Sequence, residues 1–196
     1  MKKSFFLSFI FIFILNGCFS VKKINETVNP FAKFSTKEEI EAPNKAPSWI
    51  KEKKLDKHIV SIGATKSIEG NRKDNIDFLI KKALISAKNN QLKKVYSRTI
   101  FLYRNYLEKI NNQRVFNKDI KGMAEHIALK AITKAKVKKH WISPNQELFI
   151  LLAVKSDTVA NYIQEGSKKL FKKDEKLYQE FLSNLAKEEI VKFLEK

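Results

Sequence analysis

The chain holds a single cysteine, Cys18, and this bounds how any fold it adopts can be held together. No second thiol exists to form an intramolecular disulfide, so the stability of a folded unit must come from packing alone. The 196 residues suffice for one domain with a proper core, and no second domain is needed. Cys18 also stands at a telling place. It closes an apolar run, Ser4 to Ile14, that follows the basic start Met1-Lys2-Lys3, which is how a secretory signal opens. The run is too short to span a bilayer stably.

The residues Leu15-Asn16-Gly17-Cys18 resemble a bacterial lipobox, in which the signal is cleaved between Gly17 and Cys18. The resemblance implies that Cys18 becomes the first mature residue and carries a diacylglycerol thioether, usually with an amide-linked chain. Packing explains a lone cysteine at this position poorly. Each buried methylene contributes about 0.8 kcal/mol and one acyl chain binds only marginally, so two or three chains give a stable anchor. Residues 1–17 are therefore expected to be a signal peptide, and the rest an exported protein anchored to a membrane without spanning it. Phe19 lacks the aspartate associated with inner-membrane retention in some bacteria, which favours the outer membrane, at its periplasmic face or the cell surface.

Charge narrows the choice of partners. Lys and Arg number 39 against 21 Asp and Glu, a formal net charge of +18, and signal removal deletes only Lys2 and Lys3. Such a surface attracts anionic headgroups, acidic cell-wall polymers or nucleic acid. Only Arg72, Arg98, Arg104 and Arg114 are arginines. Lysine is a point charge without the bidentate fork that reads guanine edges, so sequence-specific nucleic-acid recognition is not expected. A solvated lysine-rich surface with no ligand is the competing reading.

Residues 18–46 contain Pro30 and Pro43, mixed charges and no sustained period, and read as a tether with an r.m.s. reach of about 30 Å. Ordered structure is expected from Pro47-Ser48-Trp49. His58 to Ala64, with Ile59, Val60 and Ile62, reads as a strand stopped by Gly63. From Arg72 the period becomes 3.6, with Ile76, Leu79, Ile80, Ala83, Leu84 and Ala87 on one stripe and Asn71 and Asp74 near the start for capping. After Asn117 a second helix lines up Ile120, Met123, Ala124, Ile127, Ala128, Ala131 and Ala135. Alanine on both helices allows close approach to a sheet.

Between them, Val95 to Tyr103 is rich in β-branched and aromatic residues and is read as a strand, although Leu92, Val95, Tyr96, Thr99, Ile100, Tyr103 and Leu107 also fit a helix face. Val137 to Ser143 and Leu148 to Val154 form a hairpin pair around Ser143-Pro144-Asn145, the second apolar on both faces and hence central. Asp157 to Lys196 reads as helical, capped by Ser156 or Asp157, with a stripe through Leu177, Tyr178, Phe181, Leu182 and Leu185 that drifts at Ile190 to Leu194. The predicted fold is α+β: an antiparallel sheet packed against two alanine-lined helices, with an additional C-terminal helix.

Pro47-x-Trp49, the strand ending Ser61-Ile62-Gly63-Ala64, the two helices, Trp141-Ile142-Ser143 and the strand Leu148 to Val154 together resemble the Lpp-twenty lipoprotein family. The resemblance spans residues 47–166, leaving 167–196 as a basic C-terminal helical extension. It implies a compact α+β domain on the outer membrane or cell surface, in proteins described as antigens and, in some members, flagella-associated structural components. It supplies no catalytic motif. The long Val95 to Phe116 segment and the C-terminal helix depart from the family pattern.

No residues carry recognisable chemistry. Gly63-Ala64-Thr65-Lys66-Ser67 lacks the earlier glycine and the Gly-Lys pair of a phosphate loop. His58, His126 and His140 stand far apart, with no acidic or thiol residue at metal-ligand spacing. Glu38, Glu39 and Glu41 cluster in the tether, where nothing rigid holds them. The expectation is a protein without catalysis, cofactor or metal.

The first helix carries one further signal. Phe78, Ile85 and Leu92 recur every seven residues opposite the sheet-facing stripe, making it apolar on two faces. Either the C-terminal helix covers this face through Leu177, Phe181 and Leu185, or it is an interaction seam for self-association or a protein partner. The leading expectation is a membrane-anchored structural or interaction lipoprotein of the cell envelope. The alternative is a module that binds anionic cell-wall polymer or acidic glycan through its lysines.

Overall fold

The computed structural model describes residues 46–65, 74–110, 117–145, 147–172 and 174–196. In chain order the elements are α1 (Ser48–Glu52), β1 (His58–Thr65), α2 (Asp74–Lys109), α3 (Asn117–Lys134), β2 (Lys136–Ile142), β3 (Leu148–Lys155), α4 (Ser156–Leu170), α5 (Glu175–Asn184) and α6 (Lys187–Glu195). The fold is α+β, with one antiparallel sheet in the order β1-β3-β2. The strand apolar on both faces, β3, is indeed the central one. Between β2 and β3, the Ser143 amide donates to Glu147 O at 2.9 Å and the Glu147 amide donates to Ser143 Oγ at 3.0 Å, closing the turn around Pro144.

Period-two alternation sorts the sheet into two faces. Ile59 and Val154 are cross-strand partners on one face and join the main core. Val60, Leu151 and Ala153 lie on the other, in a smaller cluster with Trp49 of α1. Both alanine-lined helices are on the main-core side. The first of them, α2, lies directly on β1: a Cβ at Gly63 would overlap the backbone of Ala83 and Ala87, and Ser61 Oγ donates to Ala87 O at 2.8 Å. The buried residues of α3, Ile120, Ala124, Ile127, Ala128 and Ala131, join the same core, and its alanines pack it mainly against α2 and α4.

The segment read as a strand, Val95 to Tyr103, is helical, and α2 runs unbroken for 36 residues. No glycine or proline interrupts Asp74 to Lys109, and Leu, Lys, Gln and Arg favour helix between the β-branched residues. The buried side chains explain the misleading composition. Leu79, Ala83, Ala87, Gln91, Val95, Thr99, Tyr103 and Leu107 are all buried, one at every fourth position. Four residues turn a helix about 40° beyond one full revolution, so this stripe winds around α2. The helix meets the sheet with small residues at its start and the C-terminal helices with aromatic ones at its end.

The C-terminal region is three helices rather than one. Its predicted cap is also displaced: Lys155 occupies the N-cap of α4 without a side-chain bond, while Asp157 lies in the first turn and pairs with Lys187 of α6 at 2.5 Å. Asp174 caps α5, its carboxylate accepting from the Leu177 amide at 2.9 Å. Residues 167–196 are not an appendage to a domain ending at 166. Phe171, Leu177, Phe181, Ile190 and Leu194 are buried in the main core. Tyr103 and Tyr106 of α2 pack against Phe171 and Phe181, with the Tyr106 and Phe181 rings edge to face at 5.0 Å. Tyr103 Oη donates to Ile163 O at 2.7 Å, and Arg98 donates to Leu194 O at the end of α6.

Candidate functional site

Gly17 and Cys18, the expected cleavage and lipidation residues, lie outside the described residues, as do the tether acids Glu38, Glu39 and Glu41. Gly63, Ala64 and Thr65 are strand residues of β1. The histidines fall on separate elements, His58 on β1, His126 on α3 and His140 on β2, and His58 Nδ1 lies 2.6 Å from Asp56 O. Among the described residues, no group of three His, Cys, Asp or Glu side chains is placed to hold a metal ion. No helix among them is long and apolar enough to cross a membrane.

The seven-residue apolar series on α2 is divided by the fold. Phe78 is 50% and Ile85 60% exposed, whereas Leu92 packs against the main core. The winding of the buried stripe is the reason. Near Ala83 the stripe faces β1, leaving Phe78 and Ile85 on the far side, and it reaches the side of Leu92 only later. The C-terminal helices bury Leu177 and Phe181 against Tyr103 and Tyr106, so they cover the far end of α2 and not Phe78 or Ile85.

A feature not anticipated from sequence is the treatment of the β1 edge. The Ser156 amide donates to Lys57 O at 3.0 Å, which phases the ladder so that Val60 and Ile62 turn their amides away from β3. Two side chains of α2, one turn apart, reach those carbonyls: Asn90 Nδ2 donates to Ile62 O at 2.8 Å and Lys94 Nζ to Val60 O at 3.1 Å. Partial burial, then the nearby Arg98 and Lys53 cations, lower the Lys94 pKa below the ordinary lysine value. Exposed strand edges template pairing with other chains, and here a helix occupies two acceptors in the middle of one edge.

The opposite edge, β2, carries a bulge between Val137 and Lys139. Lys136 pairs with Ala153, and after the extra residue Lys139 pairs with Leu151 and Trp141 with Phe149. The bulge therefore aims Lys136, Lys139 and Trp141 to one face, the face of the Trp49 cluster, where strict alternation would have sent Lys139 and Trp141 to the other. Trp141 and Phe149 contact there with ring centroids 5.4 Å apart. Lys136, Lys138 and Lys139 are exposed.

No protein-family model matches the chain, and comparison with curated proteins finds no relative.

Proposed function

We propose that the protein is a non-catalytic lipoprotein of the bacterial cell envelope, anchored through acyl chains on Cys18 and working by contact with other envelope components. One observation carries the reading: the only cysteine stands directly after Leu15-Asn16-Gly17, at the end of an apolar run with a basic start. The segment between Cys18 and the folded unit is long enough to hold a domain about 30 Å from the headgroups. The likeness to the Lpp-twenty family, on Pro47-x-Trp49, the Gly63 strand and Trp141-Ile142-Ser143, supports an outer-membrane or surface placement. The exposed pair Phe78 and Ile85 is the surface this reading assigns to self-association or a protein partner.

Metabolic labelling with an alkyne fatty acid tests the anchor. Wild type should be labelled and stay with membranes through an alkaline wash, whereas Cys18→Ser should be unlabelled and soluble. Equal membrane retention of Cys18→Ser would overturn the reading.

A second reading, binding of an acidic cell-wall polymer, is favoured by the exposed lysines of β2. Retention on isolated cell wall that collapses in high salt supports it, because exposed charges are screened over about 8 to 10 Å. Association that survives salt supports apolar contact instead.

A further inference from the structure

We propose that the face of the sheet bearing Trp49, Trp141 and Phe149 rests on an anionic phospholipid surface, with Lys139 and the lysines Lys51, Lys53 and Lys54 against the headgroups. This goes a step beyond the anchored-lipoprotein reading, and rests on it.

The two faces of the sheet differ in cover. Among the described residues, the main-core face lies under α2, whereas the cluster on the opposite face draws on α1, Leu55 and the strands. Trp49 closes the end over Val60, Leu151 and Ala153. At the other end, Ile62, Trp141 and Phe149 are only partly buried and Ala64, across from Phe149, is exposed. Tryptophan and phenylalanine at such a margin suit a bilayer interface, where an apolar body and a polar surround meet.

Charge and chain path point to the same occupant. Lys51, Lys53 and Lys54 follow Trp49 in sequence and are exposed, outnumbering the exposed Glu52 among them, and the β2 bulge puts Lys136 and Lys139 on this face beside Trp141. Lysine near an anionic leaflet gains from its surface potential without needing the directional fork of arginine. The segment leading from Cys18 enters the fold at Pro47 and Trp49, on this face and not among the helices. An anchor at Cys18 is compatible with this side of the domain meeting the bilayer. Tethering raises the local concentration of the membrane, so a weak face suffices.

The experiment uses the expected mature chain, residues 18–196, carrying Cys18→Ser, so that binding by the domain is read apart from the lipid and from the apolar signal run. The probe is vesicles of phosphatidylethanolamine with phosphatidylglycerol, against phosphatidylcholine alone. Cosedimentation is expected with the anionic vesicles only, together with a blue shift of tryptophan emission that Trp141→Phe removes. Lys53→Glu with Lys139→Glu should weaken binding about tenfold or more, while Lys118→Glu with Lys121→Glu, exposed on α3, should leave it near wild type. Because Trp141 is partly buried, the lysine pair keeps the test independent of folding. Equal loss from the α3 pair, failure to bind anionic vesicles, or retention on isolated cell wall in place of vesicles would overturn docking. Absence of fatty-acid label on wild type would overturn the anchor instead, so the two failures are told apart.

Discussion

A Cβ on Gly63 of β1 would stand 2.8 Å from the Cβ of Ala87 on α2, and closer still to the Ala87 amide and the Ala83 carbonyl. Backbone lies against backbone at this crossing. The strand and helix approach so closely because glycine and alanine meet there, and the short distance lets Ser61 Oγ reach Ala87 O. It also brings Asn90 and Lys94 within reach of the β1 edge.

Gly63→Ala should therefore be severe for a single methyl group. The obstructing atoms are mostly main chain, so helix and strand must separate, at a cost of about 3 kcal/mol or more. Gly122→Ala is the matched control: a Cβ there meets nothing within 4 Å, and removing glycine from the interior of α3 should stabilise by about 0.5 to 1 kcal/mol. Thermal melts followed by circular dichroism would read both, and a Gly63→Ala protein melting like wild type would refute the close crossing.

Removing the edge cap should cost little stability and much solubility. Asn90→Ala with Lys94→Met frees the Val60 and Ile62 carbonyls, losing about 0.5 to 1.5 kcal/mol per bond while opening β1 to strand pairing. Light scattering across a concentration series should show faster aggregation of the double variant at equal folded fraction. Unchanged scattering would show that the carbonyls need no cover.

Alkaline pH should act through Tyr103. Burial raises its hydroxyl pKa far above the usual 10.0, so the folded state resists an ionisation that the unfolded chain undergoes. The stability this provides is complete below pH 10.0 and is lost progressively as pH rises beyond it. Tyr103→Phe should lose about 1 kcal/mol at neutral pH with the Ile163 bond, yet fall less steeply above pH 10.0. Urea melts at neutral and alkaline pH would show whether the two curves converge.

Deleting residues 174–196 strips Leu177, Phe181, Ile190 and Leu194 from the main core and should abolish the cooperative melt. Phe78→Lys with Ile85→Lys should instead leave the fold intact, since both side chains are mostly exposed already. If Phe78 and Ile85 form a self-association seam, the same pair of changes turns an oligomer into a monomer, and salt does not reproduce the effect because it screens charge and not buried area. Light scattering on the Cys18→Ser chain decides between seam and bare surface.

Local pattern made much of this legible in the sequence. Ile59 and Val60 announced β1, and the unbroken apolar run Leu148 to Val154 announced a central strand, because only a strand covered on both faces can bury every residue. The alanine stripes of α2 and α3 were visible because burial on one helix face repeats at a fixed angle. The anchor proposed at Cys18 rests on a pattern of another kind, a linear peptide whose reading needs no fold. What the sequence could not reveal depends on partners distant in the chain. The buried stripe of α2 repeats every four residues and so winds around the helix, and over Val95 to Tyr103 the helix face that the spacing also allowed was outweighed by the β-branched and aromatic content. Register and the β2 bulge decide which face Lys139 and Trp141 take. Asn90 and Lys94 became edge caps only when α2 came to lie on β1, a proximity set by Gly63 and Ala87 together and by neither alone.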